Sequence, residues 1–377
     1  MKSHPTLRKI GLVLKYSAPV VIIVWLLYSI DPEQRRQLAE QQKNWPLLGV
    51  AFVLGFTAVW LTFVRWWLLV RALGIPFRLR DAYRLGFLGY LLNFVSVGAV
   101  GGDLFKAVFI AHEHPGRRAE AVATVVVDRV IGLYALLVVT AIATLLIDMP
   151  DATPEMVAVC RATYLLTALG GAGVMLIMVP GFTSGAVSEF VGGLPKVGPV
   201  ARKLITAVRM YRKQPGVLAV ISVMSLAVHA ILSLSVYVTA RALYTETPNL
   251  AEHMIIVPLS MVAAAVPFTP AGLGTFEFAI DKLYEWVPAV ETGVSGILMG
   301  LAYRVTTIAI AAVGVLYYWA ARREVREVLE EAEQELHRDA DGDDESTDAS
   351  GDHVSGEIQR TSSPLDSADG EVARAAS

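Results

Sequence analysis

Apolar runs of about twenty residues, the length that carries a helix across a hydrocarbon core, recur between Leu12 and Ala320 of this chain. Inside a bilayer every backbone N–H and C=O has to be satisfied without water, and a helix does this within one segment. With 54% hydrophobic residues along 377 positions, the sequence predicts an all-α polytopic integral membrane protein and excludes a soluble domain. The membrane domain is expected over residues 1–323, with a charged tail over 324–377.

Two of the apolar runs are interrupted. Asn93-Phe94-Val95-Ser96-Val97-Gly98-Ala99-Val100-Gly101-Gly102-Asp103 breaks in its middle with glycines and closes on a carboxylate. Pro267-Phe268-Thr269-Pro270-Ala271-Gly272-Leu273-Gly274-Thr275-Phe276-Glu277 has the same design. Glycine weakens a helix, and an ionised acid at mid-depth costs about 2.5 to 3.5 kcal/mol on insertion scales, so neither stretch suits an ordinary span.

Charge distribution orients the segments. Lys2, Arg8, Lys9 and Lys15 precede an uncleaved first span at Leu12–Ile30. A second span at Pro46–Leu69 ends among Arg65, Arg71, Arg78, Arg80 and Arg84, which mark the cytoplasmic side, with Trp66 and Trp67 as an interfacial belt. If Leu85–Ala111 crossed fully, Arg117 and Arg118 would lie outside, and Asp148, Asp151 and Glu155 would lie inside, against the positive-inside rule. A segment that enters from the cytoplasm, breaks and returns removes both conflicts.

Spans at Ala121–Ile147, Ala162–Val179, Val217–Ala240 and Ser295–Ala320 then follow, the last ending before Arg322, Arg323 and Arg326. Met254 to Val287 must start and finish outside. The expected fold is six full spans plus two opposed re-entrant helix pairs, eight membrane segments arranged as an inverted repeat with halves at about 12–147 and 162–320. Both termini are expected in the cytoplasm, and the protein in the cell (inner) membrane.

The halves echo one another in their charges. Asp103 follows its glycine break and Arg129 comes 26 positions later; Glu277 follows the second break and Arg304 comes 27 positions later. Intramembrane charges are costly and mark function by default. A freed helix N-terminus with an arginine beside it suits an anionic group such as a lipid phosphate. Asp103, Asp128, Glu277 and Asp281 are candidates to balance the arginines, one of them to carry a coupling proton; the competing reading is a structural ion-pair network. Asp128, Lys106 and Asp281 also suit an interfacial position. His229 reads as a hydrogen-bonded packing residue, and Pro258, Pro267 and Pro270 as helix breakers.

Little else in the sequence carries chemistry. Cys160 is the single cysteine, which excludes an intrachain disulfide, and no zinc-type spacing occurs. His112 and His114 belong to a polar loop, so no metal or cofactor is expected. Lys196–Tyr211 reads either as a basic helix on the inner leaflet or as a linker helix. Residues 328–377 hold 15 acids and 3 bases, leaving the body basic by nine charges, in keeping with anionic lipid headgroups and with the positive-inside bias alike. From Asp339 the tail has the composition of a disordered segment.

Asn93, Gly101-Gly102-Asp103, the following Lys106, the Asp128-Arg129 pair and the Pro267-x-x-Pro270-x-Gly272-x-Gly274-x-x-Glu277 stretch together resemble the flippase-like transmembrane region of the lysylphosphatidylglycerol synthase family. The likeness covers about Leu12 to Ala320 and departs from the commoner pattern at Lys106 and Ala271. It implies translocation of an anionic phospholipid or lipid-linked headgroup, with Asn93, Gly101, Gly102, Asp103, Lys106, Asp128, Arg129, Pro270, Gly272, Gly274 and Glu277 as the substrate-binding or translocation residues; Arg304 joins them through the charge echo between the halves. It does not carry over aminoacyl transfer, whose soluble domain is not among these residues. The alternatives are an integral membrane transferase acting on a lipid carrier and a non-transporting partner of a lipid-modifying enzyme. Membrane lipids are the expected partners, and nucleic acid is not.

Overall fold

The computed structural model describes residues 42–95, 101–147, 153–178, 209–265, 272–288 and 292–320, with a few isolated positions besides. The expected first span, Gly98 and its neighbours 96–100, Pro267 and Pro270, most of Lys196–Tyr211 and the tail from Glu324 lie outside the described residues. Residues 1–329 form one compact unit; the second, 330–377, falls entirely outside the description.

Every element with defined bounds among the described residues is a helix: α1 (Trp45–Ala72), α2 (Leu79–Val95), α3 (Gly101–Glu113), α4 (Arg118–Leu146), α5 (Pro154–Met178), α6 (Pro215–Leu243), α7 (Leu250–Ala265), α8 (Thr275–Trp286) and α9 (Gly296–Ala320). Among the described residues, α1, α4, α5, α6 and α9 are long and apolar enough to cross a membrane. Their outer faces are apolar: Leu145, Leu146 and Met175 are all more than 70% exposed. This is a multi-pass membrane protein. By contrast α2, α3, α7 and α8 have 17, 13, 16 and 12 residues. At about 1.5 Å per residue none of them reaches across a core about 30 Å thick.

Local chemistry sets the helix starts. The Asn44 side chain accepts from the Leu47 N–H at 3.2 Å, with Pro46 in the first turn of α1. Thr153 Oγ1 accepts from the Met156 N–H at 3.2 Å, so α5 starts at Pro154 and not near Ala162. Hydropathy marks where the apolar run begins, whereas the cap marks where the helix begins, about two turns earlier. Asn249 and Glu252 cap α7 reciprocally at 2.9 and 2.6 Å. Pro258 does not break its segment: it lies inside α7.

The bundle is built on α1 and α6, which run antiparallel along their whole length. Hydrogen bonds join Asn44 N–H to the Ala242 carbonyl (3.0 Å), Ser235 Oγ to the Ala51 carbonyl (2.7 Å), Arg65 Nη1 to Ser225 Oγ (2.8 Å) and Tyr211 Oη to the Leu69 carbonyl (2.9 Å). At one end Leu69 of α1, Ala123 and Val127 of α4 and Ile221 of α6 share a cluster. At the other, Ala143 of α4, Met156 of α5, Val236 and Ala240 of α6 and Met299 of α9 share a second one. The chain thus leaves α1 and enters α4 at the same end, with α2 and α3 in between. It leaves α6 and enters α9 at the opposite end, with α7 and α8 in between. Across the bundle α4 packs on α7, and α9 packs on α2.

Candidate functional site

In the first half, α2 and α3 meet backbone to backbone. A Cβ on Gly102 would overlap the Gly89 carbonyl oxygen, so only glycine allows this approach. The Gly102 N–H, one of the unpaired donors at the start of α3, is taken by Asn93 Oδ1 at 2.9 Å. That contact fixes the next residue, Asp103, which is 9% exposed. Arg129 of α4 donates through Nε to Asp103 Oδ2. One turn beyond, Lys106 Nζ stands 3.5 Å from Asp103 Oδ1 and 5.3 Å from the centre of the Trp66 ring.

A second acid–arginine pair forms at the start of α8 with different chemistry. Gly272 and Gly274 have φ of 66° and 85°, the left-handed region that glycine enters without strain. The Gly274 N–H donates to Glu277 Oε2 at 2.7 Å, so the acid caps its own helix, α8. The other oxygen, Oε1, accepts from Arg304 Nε at 2.9 Å and Nη2 at 2.7 Å. Glu277 is fully buried, and the Arg304 guanidinium carbon lies 6.0 Å from the Phe276 ring centre.

A third pair was not expected. Arg65 of α1 donates through Nε to Asp128 Oδ1 at 2.8 Å and through Nη2 to Asp128 Oδ2 at 3.0 Å, the bidentate geometry that arginine and carboxylate favour. Asp128 therefore balances Arg65, which lies inside the bundle at 5% exposure and does not mark an interface. Trp66 is likewise interior, its Nε1 donating to Thr124 Oγ1 at 3.3 Å. The available signal was position: Arg65 falls within the Pro46–Leu69 run, whereas Arg71 lies beyond it. Asp281 takes the Ile297 N–H at 3.1 Å at the start of α9, away from the cavity.

All three pairs converge on one cavity of about 320 Å³. Asn93, Asp103, Lys106, Asp128, Arg129 and Arg304 line it. Arg65, Tyr90, Tyr303 and His229 join them, and no repeat or break in the sequence singled these out. His229 also packs as expected, with Nε2 3.0 Å from the Gly132 carbonyl oxygen. Gly102, Gly272, Gly274 and Glu277 stand behind the wall and shape it; Gly101 opens α3; Pro270 lies outside the described residues. Leu133 of α4 also lines the cavity and is 41% exposed. Among the described residues, no group of three His, Cys, Asp or Glu side chains is placed to hold a metal.

The family model of the lysylphosphatidylglycerol synthase transmembrane region matches residues 9–314. No curated protein and no solved structure matches the chain.

Proposed function

Because this chain belongs to the family of the lysylphosphatidylglycerol synthase transmembrane region, we propose that it carries an anionic phospholipid, or a lipid-linked anionic headgroup, between the leaflets of the cell membrane. One observation carries this reading: α1, α3, α4 and α9 bring four cations, Arg65, Lys106, Arg129 and Arg304, to a single cavity beside the two interrupted segments. A headgroup entering it would meet arginine donors arranged for phosphate oxygens. No covalent step is required, and the role is that of a transporter.

Alternating access explains why the site is built from broken helices. Support for an inverted repeat comes from the antiparallel α1 and α6, from the exchange of partners in the α4–α7 and α9–α2 packings, and from α2–α3 and α7–α8 each returning to the end of the bundle where it began. In this arrangement the two short helix pairs are re-entrant from opposite sides. The arginines at the α1 end set that side, and both termini, in the cytoplasm.

The test is translocation of fluorescent phosphatidylglycerol in vesicles holding the purified full-length protein, read by bleaching the outer leaflet. The wild type should move the lipid faster than protein-free vesicles, and Arg129→Ala should fall to the protein-free rate while eluting as a folded protein. Equal rates for wild-type and empty vesicles would overturn the reading.

A further inference from the structure

Among the described residues, His229 of α6 is the imidazole in the cavity wall. Its bond to α4 fixes its tautomer. The Gly132 carbonyl oxygen, 3.0 Å from Nε2, can only accept, so Nε2 carries the hydrogen and Nδ1 keeps a free lone pair. Nδ1 is buried, in a residue 9% exposed, and has no partner among the described residues. One turn further along α6 the Ser233 hydroxyl, fully buried, is likewise without a partner there. Orphaned polar groups are disfavoured inside a protein and persist where a function uses them.

The acids around the cavity are already committed. Asp103 accepts from Arg129 and Asp128 from Arg65, and Glu277 behind the wall accepts from Arg304, so a proton on any of them breaks an ion pair. Arg65, Lys106, Arg129 and Arg304 face the cavity as cations, and Tyr90 and Tyr303 as phenols. From α7 come Met261, Ala264 and Ala265, which do not titrate, and the interruptions 96–100 and 266–271 contain no ionisable residue. A proton on His229 Nδ1 breaks nothing. His253, also buried, differs. Its Nδ1 donates to the Asn249 carbonyl at 2.9 Å, its Nε2 takes the Tyr284 hydroxyl at 2.8 Å, and it does not line the cavity.

We propose that His229 is the proton-binding residue of this transporter, taking a proton on Nδ1 as the cavity takes its anion. The inference rests on the lipid-transport reading above. Arg65 also borders Gly132, where a Cβ would lie 3.5 Å from its guanidinium. An imidazolium beside that cation is disfavoured without an anion nearby, and a bound anion offsets the penalty. The dependence is reciprocal, so a proton on His229 strengthens anion binding by the same factor. The proton joins the Nδ1 lone pair from water on one side of the membrane and returns to water on the other, with no other bond made or broken. The anion then crosses with one compensating positive charge, and a proton gradient drives it.

The experiment follows phosphatidylglycerol binding to the full-length protein in detergent by titration calorimetry, between about pH 6 and 8 and in two buffers of different ionisation enthalpy. The lipid's phosphodiester does not titrate in this range, so a proton taken up belongs to the protein. The wild type should take up about one proton per lipid, and its affinity should fall by up to about tenfold per pH unit. His229→Gln, whose amide can keep the bond to the Gly132 carbonyl, should take up none and bind with an affinity that does not vary with pH. Proton uptake persisting in His229→Gln would put the proton on a carboxylate and overturn the assignment. Binding to the wild type without proton uptake would overturn it too, whether or not the variant folds. In vesicles, an imposed pH difference should drive the lipid towards the alkaline side. Crossing that ignores the gradient removes the proton site alone, and proton-linked binding without crossing removes transport alone.

Discussion

Arg129 and Arg304 each pair with an acid that follows a glycine break in the sequence, yet the surroundings of those carboxylates make them unequal. Removing Arg304 leaves Glu277, fully buried, with its charge uncompensated, and breaking a buried pair from one side costs about 3–5 kcal/mol. Removing Arg129 leaves Asp103 with Lys106. Thermal unfolding in detergent should therefore show Arg304→Ala losing most of its folded population, while Arg129→Ala unfolds close to the wild type and loses transport alone. Asp128→Asn should behave like Arg304→Ala, because Arg65 at 5% exposure then has no carboxylate. Near-wild-type melting of both would mean that water reaches these pairs and that the cavity is wetter than its burial implies. The acid–arginine pairs at separations of 26 and 27 were legible from the glycine breaks beside them. The pair of Arg65 and Asp128, 63 residues apart, was not: the place of Arg65 inside an apolar run set it apart, but nothing around it named its partner.

At the scale of elements, glycine contributes in two ways that a sequence cannot tell apart. Gly102 is required by contact with the backbone of α2, and alanine there pushes the helices apart or strains them, at about 1–3 kcal/mol. Gly49 in α1 has nothing within 4 Å of a Cβ, so alanine there should stabilise the helix by about 0.5–1 kcal/mol. Melting temperatures of Gly102→Ala and Gly49→Ala should move in opposite directions; a fall in both would show that α1 is packed in the membrane by something outside the described residues. The same limit applies to boundaries. Composition located all the described long helices, but the caps at Asn44, Thr153 and Asn249 set where helices begin.

For the whole molecule, the decisive prediction concerns sidedness. With Cys160 replaced by Ser, cysteines at Arg117 and Thr292 should react with a membrane-impermeant maleimide from opposite faces of sealed vesicles, Arg117 from the cytoplasmic one. Labelling of both from one face would remove the paired re-entrant segments. Truncation after Leu329, at the boundary of the compact unit, should leave transport rates within about twofold of the full chain, because a segment of such low hydrophobicity and high charge adds no buried surface.

Hydropathy and charge by themselves determined that the chain is a multi-pass helical protein and which runs are interrupted, since the bilayer imposes hydrogen-bond and desolvation costs that are read one segment at a time. Only the tertiary structure decided that both interruptions serve one cavity, that Arg65 and Trp66 face inward, and that Asp103 is shared while Glu277 is not. A helix that is apolar all round does not announce which face it turns to its neighbours. That choice is made by close packing and by the pairing of buried charges across segments distant in the chain.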